Sequence, residues 1–220
     1  MKLKKIASLM LAGVMAISML AGCGDNDKKD PASSEDTSAA AGYSAMLGDK
    51  AADTLKKSDL DKVVTFADSA DDQKALAAAV LGVSDKTLAT WIKGNELSEV
   101  TVDDCAGKFE DKADLNRQIK TGGNSGDDFF KNNSMNTTKI GQVWVANSGY
   151  TLDQVMSEIF EEYKDGFEGL EDKATINGVK VNYNYTVSVS VVNKAEASDT
   201  MLDGSVNFVA VTVTRTAEVA

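Results

Sequence analysis

The chain has 220 residues, 34 acidic against 23 basic side chains, a formal net charge of −11 and no histidine. Such an acidic balance opposes contact with nucleic acid and anionic lipid headgroups. The missing imidazole removes Ser-His-Asp and Cys-His hydrolases, HExxH metalloproteases and histidine-ligated zinc or haem, and two cysteines are too few for a four-cysteine zinc site or a cysteine-ligated iron–sulfur cluster.

The chain opens with Lys2, Lys4 and Lys5, followed by an uncharged apolar run from Ile6 to Gly22 that ends Leu20-Ala21-Gly22-Cys23. Spanning a bilayer takes about 20 apolar residues, so a run of about 15 to 17 suits an export signal better than a retained membrane helix. An ordinary secretory signal with a soluble product would leave the position of Cys23, one of only two cysteines, to accident. These four residues resemble the lipobox of bacterial lipoproteins, in which a leucine, a small residue and Gly or Ala precede the cysteine read by the lipoprotein signal peptidase. The resemblance implies cleavage between Gly22 and Cys23, a diacylglycerol thioether on Cys23, and acylation of its new amine by a fatty acid such as palmitate. One acyl chain holds only marginally, at about 0.8 kcal/mol per buried methylene, while two or more hold stably.

The expected organisation is therefore a lipoprotein signal peptide over 1–22, a lipidated cysteine and flexible tether over 23–42, and an α+β extracytoplasmic domain over 43–220. Three basic residues precede Cys23, so the mature chain carries 20 basic against 34 acidic side chains, a net −14, and the excess lies entirely within 24–172. Gly24 to Ala41 is small, polar and charged and holds the sole proline. It cannot bury enough apolar surface to offset its ordering entropy, and its random-coil reach is on the order of 20 to 25 Å.

Helical periodicity fills the part over about 43–94, read as a cluster of four helices. Tyr43, Met46, Leu47 and Leu55 share one face, with Gly48 as a weak point. Ser58 and Asp61 offer a capping box for a second helix carrying Leu60, Val63, Val64 and Ala67. A third runs from Ala70 to Leu81 and stops at Gly82. Ser84 starts a fourth, which carries Leu88, Trp91 and Ile92 and ends at Gly94. A short strand over Leu97 to Val102 follows, and then an irregular stretch from Asp103 to Thr138 with a weak helix around Ala113 to Lys120. Loops this long are often functional or disordered.

The helix-plus-antiparallel-sheet part covers about 139–220. Ile140 to Ala146 reads as a strand. Thr151 and Gln154 form a second capping box, with Tyr150 able to staple onto Val155, and Leu152, Val155, Met156, Ile159, Phe160, Tyr163 and Phe167 form one helical stripe that Gly166 or Gly169 can stop. The period then changes to two. Asn177-Gly178 predicts a two-residue hairpin pairing Ile176 with Val179 and Ala174 with Val181. That apolar face continues through Tyr183, Tyr185, Val187, Val189 and Val191, opposite polar residues from Lys180 to Ser190, and predicts a sheet covered on one side only. Over Gly204 to Val219, Val206, Phe208 and Ala210 overlap with Val209, Val211 and Val213 on the other parity, which implies a bulge or a strand buried on both sides. Helices first, then a long helix laid on antiparallel strands, resembles the cystatin-like and nuclear-transport-factor-like folds, which host unrelated functions.

Little catalytic chemistry is legible. Lys120-Thr121-Gly122 and Ser134-Met135-Asn136 match two boxes of penicillin-binding proteins, but no Ser-x-x-Lys supplies a nucleophile and the two boxes stand in the wrong order. Gly122 to Asp128 offers oxygen ligands for calcium without EF-hand spacing. The carboxylate pairs Asp71-Asp72, Asp103-Asp104 and Glu161-Glu162 are sequence neighbours whose side chains diverge. Cys105 is read as a half-buried structural thiol, since adjacent carboxylates raise a thiol's pKa. No catalytic, cofactor-binding or metal-ligating residue is assigned, and Cys23 is the one site residue, as the lipidation point. The expectation is a membrane-anchored extracytoplasmic lipoprotein acting as a non-enzymatic binding or interaction module. Its expected partner is membrane lipid through acylated Cys23, with an unidentified protein or small-molecule ligand and no nucleic acid. The alternatives are a carboxylate-dependent cell-envelope hydrolase and a purely structural surface protein.

Overall fold

Two long strands form the spine of the fold. In the computed structural model, which describes residues 42–94, 97–99, 104–119, 129–130, 132–147, 149–195 and 204–220, β6 (Val179–Ala195) and β7 (Ser205–Val219) pair antiparallel from Val181↔Val219 to Ala195↔Ser205 without a register break. The far edge of β7 pairs antiparallel with β4 (Thr138–Asn147). Two short strands complete each outer edge. Along β6 lie β5 (Lys173–Ile176), antiparallel, and β1 (Val64–Phe66), parallel. Along β4 lie β3 (Arg117–Gln118), parallel, and β2 (Leu97–Glu99), antiparallel. The fold is α+β around a seven-stranded sheet, and the two parallel edge strands make that sheet mixed.

Helices cover both faces. On one lie α1 (Tyr43–Lys57) and α5 (Leu152–Glu168), whose Leu47, Leu55, Met156, Ile159 and Tyr163 pack on Tyr183, Val187, Val189, Val211 and Val213. On the other, α2 (Ala70–Leu81), α3 (Asp85–Lys93) and α4 (Asp104–Lys112) bury Leu76, Val80, Leu88 and Phe109 against Val143, Val145, Val206 and Phe208. Each fully buried side chain of this size contributes roughly 1.5–3 kcal/mol. The expected cluster over 43–94 is thus divided between the two faces. Its chain rounds the sheet edge at β1, so α1 finishes on one side and α2 begins on the other.

The continuous register of β7 rules out a bulge and leaves the two-sided strand, since its odd residues enter one core and its even residues the other. The expectation of a single covered side holds only for the start of β6. There Lys180, Asn182, Asn184 and Thr186 are exposed, whereas Ser188 and Ser190 are buried. The hairpin forms in the expected register, with Asn177 and Gly178 both at positive φ, 50° and 84°. Both sequence-read caps for the later helices form: Ser84 accepts from the Thr87 amide, and Thr151 and Gln154 close a reciprocal box.

Two expected helices are displaced. Ser58 does not open a helix; it ends α1. Asp59 adopts φ 56°, the Leu60 amide donates to the Leu55 carbonyl at 2.9 Å, and Leu60 is buried as the anchor of that stop. Val64, Thr65 and Phe66 then pair with Tyr185, Thr186 and Val187 as β1. In the same way Asp114, at φ 55°, ends α4, so the helix lies over 104–112 and the stretch after it turns into β3. Gly166 lies inside α5, and Gly169 is the residue that caps it.

Side chains finish what the short strands leave open. Beyond Val187 the outer edge of β6 meets Ser44, whose Oγ accepts from the Val189 amide at 2.8 Å. Gln73 follows, its Oε1 accepting from the Val191 amide and its Nε2 donating to the Val191 carbonyl at 2.9 Å. Gly42 has no side chain to cap α1, and Asp68 replaces it by accepting from the Gly42 and Ser44 amides, both at 2.9 Å.

Candidate functional site

The sequence-read candidates scatter. Cys23, the Gly122–Asp128 loop, Lys120-Thr121-Gly122 and Asp103 lie outside the described residues, as does the Asp104 side chain. Cys105 is buried at 1% exposure beside Ala106 and Phe109, more deeply than the half-buried position expected. Trp144 is core and donates its indole N–H to the Tyr163 hydroxyl at 2.9 Å, while Trp91 is half-buried and packs edge-on against Phe208 at the margin of the other core. Glu161 and Glu162 are exposed on α5. Asp71 and Asp72 diverge as helix neighbours must: Asp71 is in solvent and Asp72 is 2% exposed.

Two concave features stand out among the described residues. The larger is an open groove of about 560 Å³ lined by Asp71, Lys74, Lys112, Asp114 and Lys139, with Asp72 at its floor. Asp72 accepts from Lys139 Nζ through Oδ1 at 2.5 Å and from Thr212 Oγ1 through Oδ2 at 2.8 Å, and Lys139 also donates to the Ala113 carbonyl. Both carboxylate oxygens are engaged, which leaves Asp72 a bolt between α2 and the middle of the sheet rather than an acid or base. Among the described residues no three carboxylate or cysteine side chains gather as a metal site.

The smaller feature, a cavity of about 190 Å³, is built around Arg215. Arg215 continues the stripe Val209, Val211, Val213 toward the α1/α5 side and stands opposite Tyr185 in the β6–β7 register. Its guanidinium carbon lies 4.5 Å from the centre of the Phe130 ring and 4.6 Å from that of Tyr183. Nη2 donates to the Asn132 carbonyl at 2.9 Å, while Nε is buried without an acceptor among the described residues. Among the described residues no carboxylate forms an ion pair with this cation, and the residue is only 3% exposed. A buried unpaired charge costs several kcal/mol, of which each aromatic face offsets about 0.5–2 kcal/mol.

The cavity wall is held from behind. The Phe129 ring sits edge-on to Tyr163 and Phe167, and the Phe129 carbonyl accepts from Arg117 Nη2 at 2.5 Å. Phe130 is thereby placed over Arg215 and within 5.7 Å of the Tyr185 ring. The Tyr185 hydroxyl donates to the Glu171 carbonyl at 2.7 Å. Burial raises the Tyr185 phenol to about 12, a rise that the nearby Arg215 charge moderates. Sequence reading passes over Arg215, although its parity with Val209, Val211 and Val213 is the signal that marks a charged residue on an apolar face. No family model, no curated protein and no solved structure matches this chain.

Proposed function

We propose that the chain is a lipid-anchored extracytoplasmic lipoprotein whose folded body is a non-enzymatic binding or interaction module. The observation that carries this reading is the basic head, apolar run and Leu20-Ala21-Gly22-Cys23 ending in one of only two cysteines. Its anchoring partner is membrane lipid, through acylated Cys23, on the outer side of the cell membrane. Two features of the folded body support binding over catalysis: the buried Asp72 carboxylate has both oxygens committed to Lys139 and Thr212, and the cavity at Arg215 presents a cation with no charged partner among the described residues.

The test is metabolic labelling with radioactive palmitate. The wild-type chain should take up label and fractionate with membranes, whereas Cys23→Ala should remain uncleaved and unlabelled. Equal labelling of the two proteins would refute the anchoring.

A further inference from the structure

We propose that the cavity beside Arg215 binds a small organic monocarboxylate through the buried guanidinium. The Phe130 and Tyr183 rings each lie within 4.6 Å of the guanidinium carbon, and they offer its N–H groups no carboxylate or carbonyl acceptor. Asn132 takes one of those protons, and among the described residues the buried Nε–H has no acceptor. A planar carboxylate is the group that suits the guanidinium N–H groups by which Arg215 lines the cavity.

Charge and size narrow the ligand. Among the described residues the cavity is lined by one cation, Arg215, and one acidic residue, Glu171, on a strongly acidic chain, so a single negative charge suits it better than a phosphate or sulfate dianion. Its volume of about 190 Å³ is below the range of drug-sized pockets, about 300–1,000 Å³. Phe130, Leu170 and Tyr185 offer apolar surface to a short carbon chain. The Tyr185 hydroxyl has committed its proton to the Glu171 carbonyl, which leaves Arg215 as the principal anchor for the anion. The ligand class rests on the binding-module reading, and the two fail separately: palmitate on Cys23 is scored in membranes, the carboxylate on purified protein.

Equilibrium dialysis of the full chain in detergent against radiolabelled propionate, up to ~10 mM because so few atoms bind weakly, tests this at constant ionic strength set with chloride. Saturable binding of one propionate per chain is expected. Arg215→Met should weaken it by about 10-fold or more, the loss of a charge-assisted contact. Asn133→Trp changes an exposed residue at the mouth, should block entry without touching the core, and decides the matter alone if Arg215→Met does not fold. No saturable binding, undiminished binding by folded Arg215→Met or by Asn133→Trp, or displacement of propionate by equimolar sulfate would each overturn the proposal.

Discussion

Replacing Asp72 by Asn tests the bolt between α2 and the sheet. The side chain of Asp72 is 3% exposed and that of Lys139 is 23% exposed, so the substitution leaves an ammonium largely out of water beside a neutral amide. Removing one partner of a buried pair costs about 3–5 kcal/mol. Here Lys139 keeps the Ala113 carbonyl and an outlet to the groove, and the Asn carbonyl can still accept from Thr212, which brings the expected loss to about 2–3 kcal/mol. For a domain of this size that lowers Tm by about 5–10 °C. Urea and thermal unfolding followed by circular dichroism measure it, and Asp72→Leu combined with Lys139→Met should recover most of the loss because no orphaned charge remains. A variant Asp72→Asn within about 0.5 kcal/mol of wild type, or a double variant as unstable as the sum of its parts, would show that the pair carries no stability.

Alkaline pH should weaken the fold through Tyr185. Burial raises its phenol from the ordinary value to about 12, so stability is intact below pH 10, falls as the unfolded chain loses its proton first, and levels off once the folded phenol ionises near 12. The loss across that window is about 2–3 kcal/mol, and urea melts of Tyr185→Phe should show a shallower pH slope; equal slopes would refute it. Gly166→Ala should destabilise although alanine favours helices. Its Cβ would stand 2.5–2.9 Å from three atoms of the Phe129 ring, which Tyr163 and Phe167 hold in place. Overpacking of this kind costs about 1–3 kcal/mol against about 1 kcal/mol of helix propensity, so Tm should fall, and a rise in Tm would sink the claim.

The legible elements were those with local punctuation. Gly82, Ser84, Gly94 and the Thr151–Gln154 box mark helix ends within a few residues, and Asn177-Gly178 fixes a register. What escaped reading depends on distant partners. Ser58 and Asp61 mimic a helix start, but Asp59 in the left-handed region closes α1, and the β-branched run at Val63 to Thr65 acts as a strand only because β6 is there to pair with it. Ser188, Ser190 and Thr212 look solvent-facing in sequence and are buried under α2, where Asp72, 140 residues before Thr212, accepts its proton. The candidate site needed Phe130, Tyr183 and Arg215 to converge from three separate segments. Of these only the charge of Arg215 within a period-two apolar stripe leaves a mark in the sequence, one that sequence reading passes over.

Gln73 and Ser44 have a further consequence for life at high concentration. A strand of seventeen residues with a bare flank is a template on which a second copy can grow as a fibril. By satisfying the Val189 and Val191 backbone with side chains that carry no continuing ladder, the fold ends hydrogen-bond propagation at its own boundary. Molecules crowded together, where encounters are frequent, can then remain separate.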